Sequence, residues 1–385
     1  MKKIHTSKIY ISKKKFINNY KFIKRVVGKN VRISSVVKGD AYGHGMKQIV
    51  PLAEEQGINH FAVFAAFEAK KLLKICRQSS QIMIMGMISN KQLPWAIKNG
   101  IEFFIFEFNR LQAACKMAKK MKKPAKIHIE VETGLNRTGF DFKDLDKLLK
   151  FLKKNKKHFN IIGLCTHYAG AESIINYYRI KKQIAKYNVI YKKFIKADID
   201  IKYRHTACSA AAINYKQTRM DMVRVGIIQF GLWPSDETLI NYLSKRKRKI
   251  NPLQPILSWK TKILNTKVVK AGDFIGYGDT FMANKNMKIA TMPVGYACGY
   301  SCSLSNRGNI LINGKRANII GKVNMNLSIV NITHIPEVKK GDEVVLIGQQ
   351  DNDEIHLTSF RDIYNSLNYE LLTRLPFAIP RIIID

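Results

Sequence analysis

The residue whose surroundings point most directly to chemistry is a lysine that ends a short apolar run. Lys38 follows Val36 and Val37, and a glycine-broken turn with Tyr42 and His44 comes after it. Because a partly desolvated amine prefers its neutral, nucleophilic form, such a lysine can form a Schiff base with a carbonyl, including the aldehyde of pyridoxal phosphate. The alternative is a strand-end lysine that only extends its amine into solvent.

Three more charged or titratable side chains stand at or near the ends of apolar runs. They are Glu130, His167 and Arg224. In barrels of alternating strands and helices, the active site lies where the strands end and the following loops begin. Side chains in these positions are therefore expected to come together around Lys38.

The elements that must position these residues alternate between strands and helices through the first 245 residues. Eight strands alternating with helices indicate an α/β fold of the (β/α)8 TIM barrel type. The predicted strands are Ile33–Lys38, His60–Phe64, Gln81–Met85, Phe103–Phe106, Lys126–Val131, Ile161–His167, Tyr203–Thr206 and Met222–Gly226. The clearest predicted helices are Phe67–Ile75, Arg110–Met121, Lys143–Lys154 and Ile174–Ile195.

One predicted strand has two distinct faces. Ile127, Ile129 and Val131 form an apolar face that can pack on helices. His128 and Glu130 alternate with them and would point into the barrel. A polar row inside a barrel is unusual for a core, and it predicts a functional site.

The sequence changes character after the basic run 245–249. Short β-rich runs with glycine turns follow, and helix signals become few. We predict a barrel domain at 1–245, which contains Lys38 and would bind pyridoxal phosphate, and a mostly β C-terminal domain at 246–385. The β-rich runs are Leu257–Leu264, Gly276–Tyr277, Ile289–Val294, Asn309–Ile312, Ile319–Val323 and Glu343–Ile347.

Composition narrows the class of protein. The formal net charge is +38, but the lysines are scattered along the whole chain, so we predict no specific nucleic-acid partner. No apolar run is long enough to span a membrane, and the lysines near the start argue against a signal peptide. None of the six cysteines forms a C-x-x-C pair, which favours free thiols, a cytoplasmic protein and no metal site.

The segment 34–45, which reads S-S-V-V-K-G-D-A-Y-G-H-G, resembles the cofactor-lysine motif of alanine racemases and departs from it only at Gly39. Seven further segments resemble motifs of the same family and follow the same order. They are 132–140, 163–169, 205–211, 222–232, 276–278, 293–297 and 368–370. The resemblance therefore spans the chain.

This resemblance implies a pyridoxal phosphate-dependent racemase that interconverts L-alanine and D-alanine for peptidoglycan synthesis. Racemisation needs an electron sink, which the cofactor supplies, and an acid/base group on each face of the reacting carbon. By the resemblance, Lys38 holds the cofactor and handles the proton of the D-enantiomer. Tyr277 handles the proton of the L-enantiomer from the opposite face, with His167 and Arg224 as its hydrogen-bond support.

The resemblance also assigns the remaining site residues. Arg137 and the backbone of Met325 would bind the substrate carboxylate. In the family, Tyr277 and Met325 come from the neighbouring subunit, so a homodimer with shared active sites is implied. The cofactor-binding residues so implied are Lys38, Tyr42, His167, Ser209, Arg224, Gly226, Ile227 and Tyr369.

Several positions depart from the family pattern. Glu130 stands where many members have a carbamylated lysine, and we predict that it replaces that anion in steering Arg137. The other departures are Cys208, Cys298, Asn324 and Asn326. They leave open a racemase of another amino acid, such as serine or lysine, on the same scaffold. A barrel-type decarboxylase and a non-catalytic homologue that only binds the cofactor are further alternatives.

Overall fold

A computed structural model describes residues 5–357, 359–360 and 368–385. The chain forms two compact units. The barrel unit comprises Lys14–Ala41 and Ile49–Pro255. The β unit comprises the residues up to Lys13, then Tyr42–Gln48 and Ile256–Asp385. The domain boundary at 245/246 stays a prediction.

The barrel unit contains eight parallel strands, seven of them in chain order with the last pairing beside the first. Two backbone bonds close the ring, from the Asp221 N–H to Arg204 O at 3.2 Å and from the Arg224 N–H to Ala207 O at 3.0 Å. The predicted (β/α)8 barrel is confirmed. The strands are β2 (Arg32–Val36), β3 (His60–Val63), β4 (Gln81–Ile84), β5 (Glu102–Ile105), β6 (Ala125–Glu130), β7 (Phe159–Cys165), β8 (Tyr203–His205) and β9 (Met222–Val225).

The helices of the barrel unit pack one apolar face on the sheet. In Leu145–Lys154, for example, Leu145, Leu148, Leu149 and Leu152 are buried while the lysines between them stay outside. The helices are α1 (Lys13–Val27), α2 (Met46–Glu55), α3 (Ala66–Leu73), α4 (Leu93–Lys98), α5 (Phe108–Met121), α6 (Leu145–Lys154), α7 (Tyr177–Lys196), α8 (Ser209–Asn214) and α9 (Asp236–Ser244). None of the described helices is both long enough and apolar enough to cross a membrane.

A left-handed turn follows β2 and carries Lys38 at its start. The φ angles are 61° at Gly39, 51° at Asp40, 56° at Ala41 and 54° at Tyr42. Residues with a Cβ pay roughly 1–2 kcal/mol each in this region, whereas glycine does not. The departure from the family motif at Gly39 therefore falls where glycine relieves backbone strain.

Among the described residues, the β unit contains a ten-stranded, mostly antiparallel sheet and the helix α10 (Asn368–Arg374). The strand β1 (Ser7–Ser12) pairs with strands from far along the chain, antiparallel to β10 and parallel to β18. The other strands are β10 (Leu257–Lys262), β11 (Asn265–Val269), β12 (Met287–Met292), β13 (Asn309–Ile312), β14 (Lys315–Ile320), β15 (Ser328–Asn331), β16 (Glu343–Gln350), β17 (Asp353–Ile355) and β18 (Arg381–Ile384).

One predicted run of this unit is wrong. Gly276–Tyr277 is a bend rather than a strand, and only an isolated bridge between Phe274 and Met282 lies beside it. The reason is local, because Gly276 and Gly278 both adopt left-handed φ angles, of 82° and 66°. Such a backbone cannot continue a β ladder.

Candidate active site

Lys38 lies just beyond the end of β2, at the mouth of the barrel. Its amine is open to solvent, but protein surrounds it closely enough for partial burial to lower its pKa. The positive charge of Arg137 lowers this pKa further, and the carboxylate of Glu68 raises it. The lowered pKa increases the share of the neutral amine, which is the form a nucleophilic lysine uses.

Glu68 holds the turn that carries this lysine. Its carboxylate accepts a hydrogen bond from the Gly39 N–H at 2.7 Å, immediately after Lys38. The same carboxylate accepts from the N–H groups of Phe64 and Ala65, at 2.9 and 3.0 Å. One buried side chain therefore links the end of β3 to the backbone next to the reactive amine.

Gln229 links the ends of two other strands. Its amide nitrogen donates to Val36 O at 3.0 Å and to Val225 O at 3.2 Å. Its oxygen accepts from the hydroxyls of Ser35 and Tyr20, at 2.7 and 2.8 Å. Because all four hydrogen bonds are buried, the ends of β2 and β9 are held at a fixed separation.

Arg224 on β9 is buried and uses most of its donors within the protein. Nη1 donates to Nδ1 and O of His205, at 2.6 and 2.5 Å. Nη2 donates to Thr166 O at 2.8 Å and Thr206 O at 3.2 Å, and it lies 3.4 Å from Nδ1 of His167. Among the described residues, Nε has no acceptor. An arginine has five N–H groups, so this leaves one oriented donor for a ligand.

Glu130 ends β6 and is buried. Burial raises the pKa of its carboxyl group, although a hydrogen bond from Thr138 and the charges of Arg224 and Arg137 oppose this shift. The Thr138 hydroxyl donates to Oε2 at 2.8 Å. Arg137 is exposed, and no described residue forms a hydrogen bond or ion pair with its guanidinium, so it is available to an anion from solution.

Two residues of the predicted phosphate site meet in the barrel unit. The N–H of Gly226 donates to the hydroxyl of Ser209 at 2.9 Å, and Ile227 follows directly in the chain. Ser209 begins helix α8. The β unit brings together two others, since the rings of Tyr42 and Tyr369 pack edge-on with centroids 6.2 Å apart.

Tyr277 and Met325 lie on exposed loops of the β unit. Tyr277 is 70% exposed and projects between its two left-handed glycines. Met325 is 54% exposed, and no described residue accepts from its backbone N–H. Its carbonyl accepts from the Ala297 N–H at 2.9 Å, which holds the loop. Both residues are thus presented outward.

Three histidines inside the barrel have lowered pKa values. Burial, together with the charges of Arg224, Arg137 and Lys38, lowers the pKa of His167 to about 3. Burial also lowers the pKa of His60, and it lowers that of His205 well below its usual range. In the unfolded chain the same rings take up a proton near pH 6.5.

These shifts predict a loss of stability in mild acid. As the pH falls from about 7 to about 5, these histidines bind more protons in the unfolded state than in the folded state, so unfolding becomes more favourable. Each of the three histidines should contribute up to about 1.4 kcal/mol per pH unit. Guanidinium unfolding curves at a series of pH values measure this slope. His5→Gln, which removes an exposed histidine, should leave it unchanged, and a flat profile would contradict the prediction.

Sequence reasoning passed over the residues that support the site. Glu68, Glu102, His60 and Gln229 were not singled out. A signal for Glu68 was present, because an acidic residue in the first turn of a predicted helix often binds free N–H groups at that end. His60 begins a predicted strand and Glu102 directly precedes one, and a polar side chain that enters the barrel there has to be satisfied inside it.

Comparison with known proteins agrees with this geometry. Residues 11–234 match the family model of the alanine racemase N-terminal domain, and residues 256–383 match that of the C-terminal domain. An alanine racemase of Halothermothrix orenii is 36% identical over 371 residues, covering 94% of this chain and 93% of the relative.

Two solved structures extend the comparison. An alanine racemase from Bacillus anthracis with bound L-Ala-P has a TM-score of 0.89 and 30% identity, and the match covers 100% of this chain and 96% of that one. An alanine racemase from Bartonella henselae with covalently bound pyridoxal phosphate has a TM-score of 0.85 and 26% identity, covering 99% and 100%.

Proposed function

The chain belongs to the alanine racemase family, and from this we propose that it interconverts L-alanine and D-alanine with pyridoxal phosphate as its cofactor. D-alanine would supply peptidoglycan synthesis. The observation that carries the proposal is Lys38, with its lowered pKa, at the mouth of a barrel in which Arg224 keeps one N–H free. A carbonyl cofactor with an aromatic ring nitrogen fits this pair of groups.

The residues present fit the cofactor in the following way. Lys38 would attach it, and the Nε–H of Arg224 would donate to its ring nitrogen. Ser209, Gly226 and Ile227 would bind the phosphate, together with Tyr42 and Tyr369. When bound, the cofactor supplies the electron sink that lets a proton leave the reacting carbon of the amino acid. A permanent cation such as Arg224 would keep the ring nitrogen unprotonated and limit that sink, which disfavours side reactions.

Lys38 and Tyr277 would handle the two protons. After release from the cofactor, the Lys38 amine would remove or return the proton on the D face. Tyr277 would act on the L face, supported by His167, whose Nδ1 lies 3.4 Å from Nη2 of Arg224. A neutral imidazole, as the lowered pKa of His167 requires, can accept a hydrogen bond as well as donate one.

The exposure of Tyr277 and Met325 supports a homodimer as part of this proposal. Both project outward from the β unit, although the proposed chemistry needs each beside a substrate. A second copy of the chain would bury them, so that each active site takes residues from both subunits. We also propose a cytoplasmic location, which the six free cysteines support.

Arg137 and the Met325 N–H would bind the substrate carboxylate, and Glu130 would support Arg137 by its charge. Glu130→Gln should keep the bond from Thr138 but lose the charge, and so weaken substrate binding by roughly tenfold, or about 1.4 kcal/mol. The expected result is a higher KM for alanine and a higher Ki for competitive carboxylate inhibitors. Activity of the unmodified enzyme should not depend on bicarbonate, since the anion is already present.

Thr138→Val provides the control for that substitution. It removes the hydrogen bond from Thr138 and leaves the Glu130 charge in place, so it should change the KM less. Equal kinetic constants for Glu130→Gln and the unmodified enzyme would show that the carboxylate has no part in substrate binding.

A panel of amino acids tests the function as a whole. Purified protein with pyridoxal phosphate is incubated with the L- and D-forms of alanine, serine and lysine, and loss of optical activity is followed. We expect alanine to give the highest kcat/KM. A higher kcat/KM for serine or lysine would identify the protein as a racemase of that amino acid. Cofactor binding without turnover would identify it as a non-catalytic homologue.

A further inference from the structure

A line of hydrogen bonds crosses the interior of the barrel and ends at Arg224. It begins at Glu102 on β5, whose Oε2 contacts Nε2 of His128 at 2.8 Å. Nδ1 of His128 lies 2.8 Å from Nε2 of His205, and Nδ1 of His205 lies 2.6 Å from Nη1 of Arg224. All four side chains are at most 5% exposed.

A short branch joins this line at the carboxylate. Nε2 of His60 lies 3.0 Å from the same Oε2 of Glu102, and Nδ1 of His60 lies 2.8 Å from the hydroxyl of Ser34. Burial alone would raise the pKa of Glu102, but the hydrogen bonds from the two histidines outweigh it and hold that pKa well below its usual range. The carboxylate is therefore charged.

Only one arrangement of protons satisfies the main line. An arginine can only donate, so Nδ1 of His205 must accept. A neutral His205 then carries its proton on Nε2 and donates to Nδ1 of His128. His128 in turn carries its proton on Nε2 and donates to Glu102. The Glu102 end gives the same result. An ionised carboxylate can only accept, so a neutral His128 must carry its proton on Nε2 and accept from His205 at Nδ1.

We propose that Glu102 is a positioning residue for Arg224, acting through His128 and His205. The inference rests on the proposed role of Arg224 at the cofactor ring. The carboxylate fixes the tautomer of His128, which fixes that of His205, which offers Arg224 a lone pair at Nδ1. Without the carboxylate, only the donor at Arg224 favours this order, and a reversed line would set an N–H of His205 against an N–H of Arg224.

A metal ion at the same cluster fits less well. Nε2 of His60, Oε2 of Glu102 and Nε2 of His128 lie within 4.8 Å of one another, and such atoms can bind zinc. A metal on Nε2 of His128 would leave the proton of that ring on Nδ1, facing His205. The line would then run backwards, and His205 would carry a proton on Nδ1 towards a guanidinium that can only donate.

The experiment compares two buried carboxylates of the barrel unit. Glu102→Gln removes the charge from the line. Glu54→Gln makes the same change at a buried carboxylate that accepts from the Arg77 N–H and the Ser80 hydroxyl, outside the line. We expect Glu102→Gln to weaken pyridoxal phosphate binding at least tenfold and to shift the absorption maximum of the bound cofactor. Glu54→Gln should change neither.

Nitrogen-15 NMR of the histidine rings tests the line in the unmodified, full-length protein. We expect His128 and His205 both to carry their proton on Nε2, with assignments from single His→Gln variants. A proton on Nδ1 of either ring would overturn the proposal, and so would stoichiometric metal in the purified protein. Unchanged cofactor affinity and spectrum in a folded Glu102→Gln protein would do the same.

These measurements separate the inference from the proposed function. If the unmodified protein takes up no pyridoxal phosphate, the proposed function fails, while the tautomers of His128 and His205 still decide the order of the line. If the cofactor binds and the tautomers are reversed, the proposed function stands and the inference fails.

Discussion

Lys38→Ala should give a folded protein with no covalently bound cofactor and with racemase activity close to background. The substitution removes both the attachment point and one of the two groups that move protons. The loss should therefore reach at least the roughly 10⁴-fold upper range of a single positioned acid or base. Borohydride reduction followed by peptide mass spectrometry measures the attachment directly, and in the unmodified protein it should label the peptide that contains Lys38.

Lys126→Ala is the matched control, because Lys126 is another lysine of the barrel unit, on strand β6. That variant should keep the label, the yellow colour and the activity. Borohydride labelling of a different lysine, or an unmodified protein that stays colourless with excess pyridoxal phosphate, would contradict the proposed site.

Tyr277→Phe should retain the bound cofactor and lose roughly 10²–10⁴-fold in racemisation rate, which is the usual contribution of one positioned acid or base. Lys38 would still act on the D face. Exchange of the reacting proton with solvent deuterium should therefore survive better from D-alanine than from L-alanine. Proton NMR of each enantiomer in deuterated buffer measures this difference.

Tyr10→Phe removes one phenolic hydroxyl from the same unit, on strand β1, and should leave the rate unchanged. Equal exchange from both enantiomers in Tyr277→Phe would show that Tyr277 does not act specifically on the L face of the substrate.

Mixing the two inactive variants tests whether the sites are shared. A heterodimer of Lys38→Ala and Tyr277→Phe subunits has one site with both groups intact, if each site takes its lysine and its tyrosine from different chains. Random mixing should then restore roughly a quarter of the unmodified activity, because half of the dimers are mixed and each has one working site. No recovery after mixing would argue for sites built within one chain.

The barrel could be predicted because its strands are short apolar runs that alternate with amphipathic helices. Predicted and observed strands differ mainly at their ends. His60–Phe64, for instance, is observed as His60–Val63. Lys38, His167 and Arg224 could be proposed from the sequence because each has a reactive type and stands at the end of such a run. Tyr277 and Met325 were proposed by resemblance alone, since an exposed loop residue has no periodicity to reveal it.

What could not be predicted depends on partners far away in the chain. The strand β1 has only a short signal, because the alternation of Lys8 and Tyr10 with Ile9 and Ile11 covers four residues in a segment crowded with lysines. Its pairing with β10 and β18 fixes it. Glu102 looked like an ordinary acid at the beginning of a strand. Its role depends on His128, which a different strand brings within 2.8 Å.

The position of β1 has a consequence for the order of folding. Ser12 bonds to Asp385, 373 positions away, and the whole barrel is synthesised between β1 and its partners β10 and β18. Domains fold as units while the chain emerges at about 5–20 residues per second. The barrel can therefore be complete while β1 still has no neighbour.

A folded barrel reduces the loop-closure entropy that remains to be lost when β1 pairs with β10. The amide of Asn19 on α1 bonds both the N–H and the C=O of Gln254 at 2.9 Å, and the amide of Asn18 bonds Pro252 O at 2.9 Å. These contacts tie the first helix of the barrel to its last residues. The entropy of closing a loop of more than two hundred residues is thereby already lost when β10 emerges beside β1. Folding of the barrel therefore lowers the entropy cost of pairing β1 with β10.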